Sequence, residues 1–336
     1  MAQSIVNDTF PVYGYFSRSN TSWPAFALGV SIPWLAFYSI VYILIFIGSF
    51  VGNQLVIWSF VIEPKLRRPT NVLIFSLAVA DIATCLVAMP STVVARVFTG
   101  TYVCFESARR FYHWPAFYLC SVSIGHLILI TIDRYIAATR PLQYPTIVTK
   151  TRSKISVTLT WMIASIFGVL PFLTDTPDPY LWVCGVTNYD STSVTVHRFV
   201  IIFTIPAILF LLCLFYIRIF LIARKHVLDS SDRRRSQNLD ESNSSRSALI
   251  RTTTTTGLVL GAFTICWIPS TCKFFIEVYV QTSEEQLFII QTAAEILAFG
   301  NSVLNPVIYA YRNELFRSTY GRVVRRICCC CSGCKI

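Results

Sequence analysis

Apolar positions along this chain gather into long, almost unbroken runs, and charge is confined to the gaps between them. Uncharged or nearly uncharged stretches cover Trp34–Ile62, Val72–Pro90, Phe111–Ile132, Ile155–Leu173, Phe199–Ile217, Thr252–Cys272 and Gln286–Tyr311. A helix crosses the hydrocarbon of a bilayer with about 20 such residues, so the pattern predicts seven spans. They must be helices, because backbone groups in hydrocarbon need partners within their own segment and the runs are too continuous for barrel strands. The expected fold is an all-α membrane protein, a seven-transmembrane helix bundle over residues 34–311. Residues 1–33 form an extracellular amino-terminal segment, too short for a folded ectodomain. Residues 312–336 form a cytoplasmic amphipathic helix and a Cys-rich tail. "RNELFRSTYGRVVRR" sets Leu315, Phe316, Tyr320, Val323 and Val324 among basic residues, as a helix lying on the inner membrane surface would.

Composition supports that reading: 54% of the 336 residues are apolar and 13% charged. Of the 28 Lys and Arg residues, all except Arg18, Arg96, Arg109, Arg110, Arg198 and Lys273 fall on the side of the tail. The positive-inside rule therefore places the amino terminus outside and the tail in the cytoplasm. The net charge of +11 is a topology signal, and no nucleic-acid partner is expected. Sequons at Asn7 and Asn20 lie on the outer side, where they can be glycosylated. The start of the chain shows no cleavable signal peptide, so the first span is the expected anchor. The third inner loop, Arg224–Arg251, is polar and Ser-rich and reads as disordered.

Cysteines divide by compartment. Cys104 and Cys184 sit in outer loops, where a disulfide is permitted. Cys328, Cys329, Cys330 and Cys331 crowd the tail after Arg325 and Arg326. Zinc would want spaced Cys or His pairs, which that run lacks, so palmitoylation is the better reading. The four histidines, His113, His126, His197 and His226, show no metal-binding or catalytic spacing, and no enzyme is expected.

Polar residues inside spans carry the chemistry, since a carboxylate at mid-membrane costs about 2.5–3.5 kcal/mol. Asp81 stands near the middle of the second span, with Asn53, Ser123, Asn301, Ser302 and Asn305 in others. Together they make a wet polar pocket fit for a Na+ ion or a proton. Pro206, Pro269 and Pro306 remove backbone donors and free the carbonyls of Ile202, Ile265 and Ser302, setting hinges in three spans. Pro115 is expected to bend the third span or reset its start.

Asn53, "LAVAD" with Asp81, Asp133-Arg134-Tyr135, Trp161, Pro206, "CWIP" at Cys266–Pro269 and Asn305-Pro306-Val307-Ile308-Tyr309 occur in one register. In that combination the chain resembles the rhodopsin-like (class A) G-protein-coupled receptors, with a weaker likeness to their adenosine and amine branch. The resemblance implies a plasma-membrane receptor that converts binding of an extracellular ligand into activation of a heterotrimeric G protein, with arrestin, receptor kinases and membrane lipid as further partners. It implies that Asp133 restrains Arg134 at rest, that Tyr309 swings in when the sixth helix moves outward, and that Trp267, Phe263, Ile124, Pro206 and Pro269 transmit the change. It also implies a Cys104–Cys184 disulfide and a ligand pocket of Ala116, Phe117, Cys120, Arg198, Ile202, Trp267, Phe274, Glu295 and Phe299.

Several positions depart from the family pattern. Cys104 lies farther from Arg134 than the family's disulfide cysteine, whose place Arg109 takes. Leu214 replaces a tyrosine on the fifth span, with Tyr216 two residues on. Leu249 and Arg251 stand where an acidic partner for the arginine often sits, so an ionic lock is absent and high basal activity is expected. Ala116 replaces the amine-binding aspartate, and Phe299 stands at the retinal-attachment position. Phe274 and Phe299 also replace the purine-binding residues of adenosine receptors. A short peptide or a small charged molecule remains as ligand, with Glu295 as its partner or as a partner of Arg110 or Lys273. A constitutively active receptor, an adenosine- or amine-like one and, less fitting, a transporter are the alternatives. No internal repeat supports the last.

Overall fold

The computed structural model describes residues 32–98, 106–174, 203–234, 243–280, 282 and 284–332, and its regular structure is helical. Helix α1 (Ile32–Ile62) leads through a 3-10 turn at Pro64–Leu66 into α2 (Pro69–Ala83), a π-helical turn (Thr84–Ala88) and α3 (Met89–Phe98). Then come α4 (Glu106–Thr139), the short α5 (Tyr144–Ile147), α6 (Lys150–Thr174), α7 (Ile205–Arg234), α8 (Asn243–Tyr279), α9 (Glu284–Arg312) and α10 (Glu314–Ser332). The π turn precedes Pro90, whose ring crowds the carbonyl four residues back; the wider turn relieves that crowding without ending the helix.

Five of these helices carry a stretch long and apolar enough to cross a membrane: Ala36–Ile62, Pro69–Val93, Pro115–Thr139, Ile205–Ile222 and Thr253–Lys273. The α6 and α9 helices are as long but more polar, with Lys150, Arg152 and Lys154 opening one and Glu295, Asn301 and Asn305 inside the other. Leu44, Ile166, Phe210 and Ile265 are exposed, as side chains that face lipid are in a protein without water around its middle. Inside, α4 is the central strut, touching α2, α3, α6, α7 and α8, while α1 packs on α2 and α9. A Cβ on Gly52 would lie 2.9 Å from Pro306 Cγ, so α1 and α9 approach closely because residue 52 has no side chain.

Two sequence expectations change here. Helices α7 and α8 extend through 224–234 and 243–251, where disorder was expected; a helix already nucleated in the membrane propagates cheaply through Ala, Arg, Lys and Leu. Residues 235–242 lie outside the described residues. Helix α4 begins at Glu106 and runs through Pro115 without a break.

The amphipathic helix forms as the sequence predicts. Asn313 Oδ1 accepts from the backbone N–H of Leu315 at 3.1 Å and of Phe316 at 3.4 Å, capping α10 as it turns away from α9. Phe316, Thr319 and Val323 form its buried stripe, and Phe316 lies in one core cluster with Val56, Leu66 and Tyr309. Arg322 Nη2 donates to Glu63 Oε2 at 2.5 Å, tying α10 to the turn after α1. Arg322, helped by the Lys65 N–H, holds the Glu63 carboxyl below the usual glutamate value. A depressed folded pKa means that this tie is fully present at neutral pH and is lost only as pH falls through the folded value.

Truncating Phe316 removes packing worth about 3–5 kcal/mol, whereas Arg322 is half exposed and its pair is worth little. Phe316→Ala is expected to lower the thermal melting point of the detergent-purified protein clearly, and Arg322→Ala to leave it nearly unchanged.

Candidate functional site

At one end of the bundle Arg134 and Asp133 are both buried near the C-terminal end of α4. Arg134 Nε donates to Asp133 Oδ2 at 2.9 Å, and its Nη2 donates to the same oxygen and, at 3.0 Å, to Thr70 Oγ1 on α2. Tyr144 on α5 donates from its hydroxyl to Asp133 Oδ1 at 2.8 Å and stands 2.7 Å from Thr70 Oγ1. Burial, more than the neighbouring Asp133 charge, pushes the Tyr144 phenol up to about 12, so it keeps its proton at neutral pH. The hydrogens then run one way, from Arg134 through Thr70 and Tyr144 to Asp133, and close a ring. Tyr135, by contrast, is exposed and meets Phe215 edge-on.

A cavity of about 220 Å³ opens beside this ring. Thr70, Arg134, Thr255, Val259, Tyr309 and Asn313 are among its lining residues, so α2, α4, α8 and α9 all reach it. Tyr309 is buried, stacks on Phe316 at 5.7 Å, and its hydroxyl finds no hydrogen-bond partner among the described residues.

Deeper in the bundle Asp81 Oδ1 accepts from Ser302 Oγ at 2.8 Å and Oδ2 from Asn305 Nδ2 at 2.9 Å. Pro306 frees the carbonyl of Ser302, and Asn53 Nδ2 donates to that oxygen at 3.0 Å as well as to Ser49 O at 2.9 Å. Of the predicted polar set, Asn53, Asp81, Ser302 and Asn305 are thus joined. Asn301 and Ser123 are buried without a hydrogen bond to Asp81. The side-chain oxygens of Asn53, Asn301 and Asn305 have no donor among the described residues.

Between this layer and the far end, Phe263 stacks on Trp267 at 5.6 Å in one cluster with Cys120 and Ile124. Pro206 is half-buried near the start of α7, and Pro269 lies within α8. At the far end Ala116 and Phe299 pack in a second cluster, where Phe299 meets Tyr42 edge-on at 5.7 Å. Phe117 is half-buried, and Gln291 Nε2 donates to Glu295 Oε1 at 3.0 Å, one turn from Phe299. Asn7, Asn20, Cys104, Cys184, Arg198 and Ile202 lie outside the described residues. Phe274 is placed on α8, and Cys328, Cys329, Cys330 and Cys331 on α10, by their backbone.

Residues 52–309 match the family described as 7 transmembrane receptor (rhodopsin family). The chain belongs to this family. It is 31% identical over 282 residues to trace amine-associated receptor 13c of Danio rerio, covering 82% of this chain and 81% of that one. It is 28% identical to adenosine receptor A2b of Gallus gallus, over 87% of this chain and 89% of that one, and 28% identical to the Homo sapiens A2b receptor, over 84% and 88%. The protein is therefore a multi-pass membrane receptor of the G-protein-coupled type and no enzyme; an extracellular ligand and a G protein are the family's general partners.

The receptor also holds polar contacts that sequence reasoning missed. His126 is fully buried, with Nδ1 2.7 Å from Val122 O. A carbonyl only accepts, so Nδ1 carries the proton, and in the neutral ring Nε2 accepts from Ser76 Oγ at 2.8 Å. Ser76 Oγ in turn accepts from Trp161 Nε1 at 3.0 Å, joining α2, α4 and α6. His126 within "SIGHLILI" was a visible signal, a polar side chain inside an apolar run that needs a partner. Thr70 and Tyr144 gave none.

Ser76→Ala leaves both the His126 and Trp161 nitrogens unpaired, at about 1–3 kcal/mol for each buried group. Its melting point is expected to fall well below that of Ser121→Ala, whose hydroxyl returns to its own helix at Phe117 O.

Proposed function

We propose that the receptor couples an extracellular small charged molecule or short peptide to a heterotrimeric G protein by outward movement of α8 at the end that carries Arg134. In this reading the Arg134 end is cytoplasmic and the protein sits in the plasma membrane. The observation that carries it is the ring of Arg134, Thr70, Tyr144 and Asp133 beside a cavity that α8 closes on one side. A guanidinium so held is restrained rather than idle: separation of α8 enlarges the cavity, and Arg134 can turn from Asp133 toward the G protein. Tyr309, buried with an unpartnered hydroxyl, is the group that gains a hydrogen bond by moving in. The ring of Trp267 on Phe263, near Pro269, carries the ligand's effect toward that end.

The ligand is met by Ala116, Phe117, Cys120, Trp267, Phe274, Glu295 and Phe299, with Arg198 and Ile202 from the outer side. Glu295 supplies a carboxylate for a positive charge, and the names of the relatives add amines and adenosine to the ligands to be tried. The Asp81 layer fits a Na+ ion: a carboxylate, a hydroxyl and the undonated oxygens of Asn301 and Asn305 are hard oxygen ligands of the kind that such a cation takes. Bound there, it would supply positive charge against Asp81 and favour the packed arrangement. Residues 1–33 are the outer segment, glycosylated at Asn7 and Asn20, 34–311 the helical domain and 312–336 the inner helix and tail. Cys104 pairs with Cys184, and Cys328 to Cys331 carry palmitate beside the exposed Arg325 and Arg326. Receptor kinases and arrestin act at the same face.

Nucleotide exchange on a panel of purified G proteins tests the switch. Arg134→Ala is expected to cut exchange by about tenfold or more at equal surface expression, and equal exchange in the two would remove the mechanism. Glu295→Gln is expected to abolish responses to cationic amines and basic peptides while sparing uncharged adenosine; an unchanged amine response would exclude the carboxylate as the ligand's partner.

A further inference from the structure

Among the described residues Arg134 donates to Asp133 on α4 and to Thr70 on α2, and neither lies on α8, so something other than these bonds must set how closely α8 closes over it. The candidate lies between α7 and α8. Gly257 stands between the cavity-lining Thr256 and Val259. A Cβ built on it would lie 2.3 Å from Tyr216 Cε1 and 2.6 Å from both Cζ and the phenol oxygen. No real Cβ tolerates such distances, so the Tyr216 ring occupies the notch that the missing side chain leaves. The ring cannot swing freely: it packs against the cluster that contains Leu212, Val259 and Leu260. It is also within electrostatic reach of the Arg134 guanidinium, which puts the notch at the level of the switch.

The choice of glycine has a cost, because in a helix interior it is less favourable than alanine. Gly261, one turn further along the same helix, has nothing within 4 Å of where its Cβ would stand. Two glycines on one helix thus share the same backbone freedom, but only one of them receives a side chain from its neighbour. Loose packing of α8 alone would treat the two alike.

We propose that Tyr216 and Gly257 are positioning residues for coupling: the notch at the glycine accommodates the phenol ring, so that α8 approaches α7 closely at rest and the cavity beside Arg134 can close. A side chain at 257 forces either the ring or α8 to move, and the ring's packing against Leu212, Val259 and Leu260 opposes the first. This proposal rests on the receptor reading above, since closure matters only if α8 gates the G-protein face.

The test uses the full-length receptor in membranes with a panel of purified G proteins and no ligand. Gly257→Ala is expected to raise basal exchange by about fivefold or more at equal surface expression, Gly261→Ala to leave it unchanged, and Tyr216→Ala added to Gly257→Ala to bring it back down by restoring room. The proposal is overturned if Gly257→Ala matches wild type, if Gly261→Ala rises equally, or if the double variant stays high. If Gly257→Ala fails to reach the surface, the double variant must restore expression, and its failure to do so also overturns the proposal. Spin labels at Arg140 and Arg251, read without any G protein, separate the two levels of the argument. A longer distance in Gly257→Ala with no rise in exchange contradicts the coupling reading and keeps the steric contact, while an unchanged distance contradicts the contact itself.

Discussion

A backbone carbonyl released by proline inside a membrane has no water to turn to, and the receptor is organised around satisfying one. Pro306 frees Ser302 O, and Asn53 reaches across from α1 to take it. That reach requires α1 and α9 to lie close together, which Gly52 permits by leaving no Cβ against Pro306. Ser302 and Asn305 then turn their side chains to Asp81 on α2, so three helices meet through one carboxylate, two amides, one hydroxyl and one carbonyl. Placement of Tyr309 follows, because it lies one turn beyond Pro306, and placement of Phe316 and α10 follows from Tyr309.

The rest of the bundle divides by the kind of contact that holds it. Ser76, His126 and Trp161 stitch α2, α4 and α6 with directional bonds that have one good geometry. Contacts of the α8 helix with its neighbours include rings and aliphatic chains, Phe263 and Trp267 toward α4 and Gly257 against Tyr216 on α7, and two long polar contacts, Thr264 Oγ1 3.8 Å from Cys213 Sγ and Ser270 Oγ donating to Ala294 O on α9 at 3.4 Å. Apolar surfaces can slide where a buried hydrogen bond must break, and a ligand moves such an equilibrium only by preferring one of its two arrangements. In the proposed mechanism the stitched part is the frame and α8 the moving member.

Much of this was legible in the chain. Seven apolar runs gave the helices, since hydrocarbon allows few other solutions, and the alternation of Leu315, Phe316, Tyr320 and Val323 with arginine gave α10. Asp81 with Asn53, Ser302 and Asn305 could be grouped because carboxylates and amides in apolar runs must find one another. Thr70 and Tyr144 could not: their partner Asp133 is 63 and 11 residues away, and each sits in a polar stretch where it needs no explanation. The π turn before Pro90 and the glycine notch were hidden as well, because both are consequences of how two pieces of backbone pack. The helical extension of α7 and α8 shows the opposite error, in which a polar composition outweighed the ease of continuing an existing helix.

The central claim is that a restrained Arg134 is exposed by movement of α8 relative to α4. The distance between spin labels at Arg140, just past α4, and at Arg251, on α8, measures that movement in the wild-type receptor with and without a nucleotide-free G protein. A distribution that shifts to longer distances when the G protein binds is the predicted result. Identical distributions in the two conditions, with the complex shown to have formed, would contradict the account.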